Sequence, residues 1–238
     1  MSGHSKWHNI QKRKGAVDAK KGQAFSKIAK MISIAAKEGG GDQATNFSLR
    51  LAVEKAKEVN MPKENIERAI ARGTGTGSET VLEPVVYEGM GPGGAAILVE
   101  AVTDNKSRTY GNVRNIFTKF GANMEARVLW MFDHKGLIRV SDMIGAPNHD
   151  EVELSVIDAG AEDVRIDDEI QEIICPIPAL LPISEIIKKA GFAIEEAIMT
   201  YLPKNPIELS SEDEEKLGDF IELLETDDDV TGVHTNAA

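Results

Sequence analysis

The sequence predicts an α+β protein: an N-terminal three-helix domain followed by two ferredoxin-like α/β domains, one inserted into the other. Three observations carry this. Up to about residue 73 the apolar residues recur at helical spacing, broken by glycine and proline. Beyond residue 85 short apolar runs alternate with helical patterns. Between residues 137 and 201 that alternation gives β-α-β-β-α-β, the split ferredoxin-like order.

The first helix is predicted over Asp18–Lys37, where Phe25, Ile28, Ala29, Ile32, Ala35 and Ala36 fall on one side. Lys20, Lys27, Lys30 and Lys37 project about 170° away, which reads as a solvent-facing lysine stripe. Gly39-Gly40-Gly41 ends it. A second helix covers Phe47–Val59, and Asn60-Met61-Pro62 breaks it. Pro62 suits the first position of a third helix, with Ile66, Ala69 and Ile70 inward and Gly73 as its stop. The run from Arg72 to Ser78 leaves a helix and lacks a Gly-Lys-Ser/Thr ending, so it reads as a flexible linker rather than a phosphate loop.

Tyr87 to Gly94 is rich enough in glycine to read as a turn. A strand at Ala95–Thr103, a helix at Ser107–Phe120 and a strand at Val128–Phe132 follow. In the inserted unit the strands are Leu137–Val140, Val164–Ile166, Ile170–Cys175 and Phe192–Tyr201, with helices at Asp150–Asp158 and Pro182–Ala190. The half missing from the first unit is found at the C-terminus: strand Ile207–Leu209, helix Ser211–Glu225 with Ser211 and Glu214 at capping-box spacing, and strand Val230–His234. The expected division is a flexible basic arm at 1–20, a helical domain at 21–76, a split domain at 77–134 plus 205–238, and an insert at 135–204.

Charge divides the chain as sharply as pattern does. The whole carries −12, yet residues 1–37 hold nine Lys/Arg against Asp18 alone. Lys6, Lys12, Arg13 and Lys14 sit beside Trp7 and His8. Cations grip phosphates and a flat ring stacks on an unstacked base, so this stretch points to nucleic acid. A solvated tail is the ordinary alternative, and the basic helix that continues the arm argues against it. The acidic remainder repels nucleic acid, so such a partner is expected at His4, Lys6, Trp7, Lys12, Arg13, Lys14, Lys20, Lys21, Lys27 and Lys30.

Other chemistries find little support. Cys175 is the single cysteine, so no internal disulfide forms, and a buried structural thiol is expected. His4 and His8 have a helical metal-ligand spacing but no carboxylate or cysteine joins them, and no metal or cofactor is expected. His134, His149 and His234 read as scattered turn or surface residues. The pair Asp167-Asp168 and the run Asp227-Asp228-Asp229 read as solvated loops. Glu88 and Asp104 offer an acid/base pair in principle, without a nucleophile beside them. No apolar run approaches a membrane span, Ser2 excludes N-myristoylation, and no apolar segment makes the N-terminus a signal peptide. A cytoplasmic monomer without a membrane partner is expected.

Several longer motifs resemble one family. Gly3-His4-Ser5-Lys6-Trp7, Asn60-Met61-Pro62-Lys63, Asn65 to Ile70, Tyr87-Glu88-Gly89 with Gly91 to Gly94, Thr103 to Thr109, Trp130-Met131-Phe132 and Gly160 to Val164 are similar to the YebC family, nearly end to end. The resemblance implies a helical first domain, two α/β domains and a role in gene expression. Members are classed as DNA-binding transcriptional regulators, and others, including a mitochondrial translational activator, act at the ribosome. The chain departs from the family between Phe120 and Trp130, where GANMEARVL replaces a longer glycine-rich hairpin, and at Ser107, where Asn is usual.

The expected function is therefore non-enzymatic regulation of gene expression by binding nucleic acid, DNA or RNA, through the basic arm and first helix, with a translation factor on ribosomal RNA as the alternative. Tyr87, Glu88, Gly91, Gly93, Gly94, Lys106 and Arg108 form a candidate partner-contact loop, where glycine lets a backbone approach, its own or a partner's. A small-molecule enzyme using a cleft between the α/β domains is the reading from another class.

Overall fold

A computed structural model describes residues 19–76, 81–167 and 170–238, the side chains of residues 19–21 and 167 excepted. One compact unit spans residues 132–204, and a second takes in the described residues of 10–131 together with 205–237.

The second unit opens with three helices, α1 (Ala19–Gly39), α2 (Phe47–Glu58) and α3 (Lys63–Gly73). Ile28, Ile32 and Ala36 of α1 close on Leu49, Val53 and Ala56 of α2 and on Ile66 and Ala69 of α3. Small residues bring the helices close. A Cβ on Gly73 would lie 2.2 Å from the Ser33 carbonyl oxygen, and the Ser33 hydroxyl donates to the Ala69 carbonyl at 2.9 Å. Gly73 is thus a packing requirement as well as a stop. Asn46 joins two helix ends: its Oδ1 caps α2 at Leu49 N, and its Nδ2 donates to the carbonyls of Ala35 and Gly40. Asn60, at φ 57°, ends α2 in the left-handed conformation while Met61 N returns to the Ala56 carbonyl. Pro62 is the N-cap of α3, one position before its expected place. Residues 74–76 of the expected linker form a hydrogen-bonded turn on α3; residues 77–80 lie outside the described residues.

The same unit continues with β1 (Glu83–Met90), β2 (Ala96–Thr103), α4 (Lys106–Lys119), α7 (Ser211–Glu225) and β7 (Val230–Thr235). The sheet order is β1-β2-β7, antiparallel throughout. Phe117 of α4 and Phe220 of α7 meet edge to face at 5.0 Å, and both are buried, as are Ile97 and Val99 of β2. Burial along nearly all of β2 explains why its sequence is a continuous apolar run rather than an alternation.

Four expectations fail here. Tyr87, Glu88 and Gly89 lie within a strand, not a turn, because Asn123 pairs with Met90 and leaves no room for a Cβ at Gly89, 2.5 Å from the Asn123 oxygen. Val128–Phe132 is not a strand. The Glu88 carboxylate accepts from Val128 N at 2.7 Å and Leu129 N at 2.8 Å, taking donors a ladder would use, and a 3-10 turn covers Leu129–Met131. Ile207 forms only a single bridge to Ala237, since Pro206 lacks an N–H. The N-cap of α7 is Ser210, not Ser211; it accepts from Asp213 N and donates to the Asp213 carboxylate.

The other unit contains β3 (Phe132–Val140), α5 (His149–Asp158), β4 (Asp163–Asp167), β5 (Ile170–Cys175), α6 (Leu180–Lys189) and β6 (Ile194–Pro203). Its sheet runs β4-β5-β3-β6, all pairs antiparallel, as the ferredoxin-like plan requires. Ile138, Ile173, Leu180, Ile183 and Ile187 are buried in its core. The fold class holds: N-terminal helices, then strands and helices forming two sheets.

Candidate nucleic-acid interface

His4, Lys6, Trp7, Lys12, Arg13 and Lys14 lie outside the described residues, as do the side chains of Lys20 and Lys21. Of the rest of the expected solvent-facing stripe, Lys37 is exposed, whereas Lys27 and Lys30 are drawn in against the chain itself. Lys27 Nζ donates to the Glu225 carbonyl at 2.5 Å, Lys30 Nζ to the Asp228 carbonyl at 2.8 Å and the Asp229 carboxylate at 2.5 Å, and Lys37 Nζ to the Leu82 carbonyl at 3.0 Å. Cations at the end of α7 also complement its dipole. Burial pulls the Lys27 ammonium below its ordinary value, against the opposing pull of Glu225, Asp227 and Asp228. Lys27 and Lys30 therefore tie α1 to the second half of its own unit. This corrects their expected role, because acids distant in sequence return to face them.

Asp229 is the centre of that tie, and its side chain is only 7% exposed. One carboxylate oxygen accepts from Lys30, and the other from Arg108 at 2.7 Å, Thr109 at 2.7 Å and Thr103 at 3.1 Å. Burial alone would raise this carboxyl; hydrogen bonds from Arg108, Lys30 and Thr109 overcome it and hold the group well below the usual carboxylate range. The expectation of a solvated loop is wrong for Asp229. Four groups from α1, β2 and α4 converge on it.

The candidate contact loop separates into two places. Tyr87, Lys106 and Arg108 gather where β1 meets the start of α4. The Tyr87 hydroxyl donates to the Lys106 carbonyl at 3.3 Å, Lys106 pairs with Glu83 at 2.7 Å, and Arg108 reaches Asp104 at 2.8 Å as well as Asp229. Gly91, Gly93 and Gly94 follow the far end of β1. A Cβ on Gly93 would lie 2.8 Å from Leu209 and 2.9 Å from Asp213, so the close approach there is by this chain's own segment leading into α7. Glu88 holds the turn at Val128 and Leu129, so the in-principle acid/base pair of Glu88 and Asp104 is engaged with the chain's own groups.

Among the described residues no group of three or more His, Cys, Asp or Glu is arranged to hold a metal ion. Cys175 is buried, which pushes its thiol up to about 11. His134 is exposed, as expected, and stacks on Tyr201 at 4.5 Å, while His149 and His234 are half-buried and bond Gln171 and Glu100.

Sequence reasoning missed two features. Arg139 of β3 lies between the buried Glu172 of β5, at 2.6 Å, and the half-buried Glu196 of β6, at 3.7 Å, as an ionic row across three strands. The signal was a charge at matching positions of two apolar runs. Trp130 is 69% exposed, its indole N–H donating to the Arg127 carbonyl at 3.0 Å, and a tryptophan just before a strand gives no sign of that.

Comparison with known proteins follows this architecture. The sequence family described as "TACO1/YebC protein N-terminal domain" matches residues 5–76, and "TACO1/YebC second and third domain" matches residues 82–237. A probable transcriptional regulatory protein of Thermoanaerobacter pseudethanolicus is 51% identical, covering 99% of this chain and 96% of its own. One from Geobacter sulfurreducens is 46% identical, over 99% of this chain and 95% of its own. The crystal structure of a conserved hypothetical protein from Aquifex aeolicus superposes with a TM-score of 0.82 at 38% identity, covering 95% of this chain and 93% of that one.

Proposed function

We propose, from the premise that the chain belongs to the TACO1/YebC family, that it is a non-enzymatic regulator of gene expression acting by binding nucleic acid through its basic arm. Relatives named as probable transcriptional regulatory proteins support the regulatory role. The engagement of Glu88 and Asp104 within the fold supports a non-enzymatic one. One observation carries the choice of surface. Of the nine basic residues among positions 1–37, Lys27, Lys30 and Lys37 give hydrogen bonds to the chain's own oxygens, so the reading rests on the cations that precede them in sequence. Lys6, Lys12, Arg13 and Lys14 would then neutralise phosphates and release counterions.

A translation factor on ribosomal RNA is the second reading, favoured by Trp7 between Lys6 and His8. A ring so placed stacks on bases already out of a helix, a contact worth roughly 1–3 kcal/mol per base. No helix among the described residues is long and apolar enough to cross a membrane. The proposal keeps the protein in the cytoplasm, as a monomer that meets DNA, ribosomal RNA or the ribosome.

The test is a titration of the wild type and Trp7→Ala against a hairpin RNA, a single strand and a duplex DNA at fixed salt. Loss of about tenfold or more on RNA, with little change on duplex, supports the RNA reading. Tight, sequence-selective duplex binding that ignores Trp7 supports the transcriptional one. No binding to any of the three refutes the proposal.

A further inference from the structure

The acidic half of the chain contains a local reversal of charge. Helix α4 holds four of the twelve Lys/Arg of residues 81–238 and neither Asp nor Glu. Its inner side, Thr109, Val113 and Phe117, is buried. About half a turn round the wheel lie Ser107, Gly111, Arg114, Asn115 and Thr118, with Lys119 beside them. Lys106 and Arg108 are committed to Glu83, Asp104 and Asp229. Arg114 and Asn115 are exposed, and their side chains make no hydrogen bond or ion pair among the described residues. Lys119 is exposed, its ammonium 5.9 Å from the Phe120 ring.

Gly111 is the second observation. Glycine weakens a helix interior, and it is usually kept there because something packs against it. Here a Cβ would meet nothing within 4 Å, so the fold itself gives no reason for it. A bare backbone between Ser107 and Arg114 lets another molecule come close to the helix.

We infer that the outer face of α4 is a second contact surface for RNA, with Arg114 and Lys119 on phosphates and Asn115 and Thr118 on sugar hydroxyls. The inference rests on the nucleic-acid reading above and adds a site to it. Positive charge on a helix that holds no acid of its own matches a phosphodiester chain. The basic strip is one helix face wide and is rimmed by acids: Asn112 holds Asp227 at 2.9 Å on one side, and Asp104 stands before the first turn. The two phosphate rows of a duplex would meet those acids, whereas a single strand meets only the strip. The Asn115 amide suits the ribose 2′-OH, and the Thr118 hydroxyl, which donates to the Arg114 carbonyl at 2.9 Å, can accept from it.

The experiment titrates a short uridine oligomer, and the deoxythymidine oligomer of equal length, at several salt concentrations. The proteins are full-length wild type, Arg114→Ala/Lys119→Ala, Gly111→Ala and the arm variant Lys12→Ala/Arg13→Ala/Lys14→Ala. The α4 double variant should lose about tenfold in affinity for the uridine oligomer and flatten its log–log salt slope by about 1.4, two phosphates at about 0.7 each. Gly111→Ala should melt at higher temperature yet bind RNA more weakly, a pair of signs that a purely structural role would not give. An unchanged affinity and slope in the double variant, with the arm variant weakened, overturns this inference and leaves the proposed function standing. Equal affinity of the wild type for the two oligomers overturns the assignment to RNA. If the wild type binds neither, this inference falls, and the duplex titration above decides the proposed function.

Discussion

Helices α1 and α4 both carry basic residues opposite an apolar face, and the fold treats them in opposite ways. On α1 the ammonium groups of Lys27 and Lys30 are met by Glu225, Asp228 and Asp229, which lie 198 or 199 residues away in sequence. On α4 the outer Arg114 and Lys119 are met by no acid among the described residues, although acids outnumber bases more than two to one over residues 81–238. A count along the chain would rank α1 as the binding helix. What decides is which oxygens the fold returns to each helix, and that turns α1 inward and leaves α4 facing out.

The largest effect should come from removing the acid that makes this difference. Asp229→Ala leaves Lys30 and Arg108 without their shared partner, and breaking a buried ionic contact costs about 3–5 kcal/mol. Urea denaturation measures it. A loss under about 1 kcal/mol would mean that the Asp229 carboxylate does little to hold α1, and the contrast with α4 would weaken.

Acid titration should show a smaller effect of the same origin. The Asp229 carboxyl is held below its ordinary value in the fold, so its stabilisation is fully present above about pH 4, the unfolded carboxylate range. It is lost as pH falls through the folded value. The gap in stability between wild type and Asp229→Asn should therefore narrow by of order 2 kcal/mol on acidification from pH 6, and a gap independent of pH would contradict the assignment.

The smallest effect belongs to a cation on the surface of the same bundle. Lys63 meets Glu67 at 3.5 Å with the two side chains 88% and 63% exposed. Lys63→Ala should change stability by less than about 0.5 kcal/mol, because water screens that pair. A comparable loss at Lys63 and Asp229 would show that burial is not what separates them.

Much of the fold was legible because it rests on local chemistry. The spacing of Ile28, Ile32, Leu49 and Val53, the break at Asn60 and the six-element order of the insert could all be read along the chain. Asp229 could not. A run of three aspartates after a helix ordinarily means a solvated turn, and its partners Arg108 and Lys30 lie 121 and 199 residues away. Gly89 misled for a related reason: glycine marks turns, but here it sits in a strand because Asn123 crosses against it. Of the candidate interface, the arm's charge was legible and its partner residues were not. The open face of α4 was hidden because neighbouring acids set the sign of the whole half.

The most direct test of the account is the salt dependence of affinity for one nucleic acid, measured for three full-length proteins. These are the wild type, Lys12→Ala/Arg13→Ala/Lys14→Ala, and Lys27→Met/Lys30→Met, in which Arg108 still holds Asp229. The account predicts that the arm variant flattens the log–log slope by up to about 2–3 and that the α1 variant keeps the wild-type slope. A flattened slope in the α1 variant, with none in the arm variant, would contradict it.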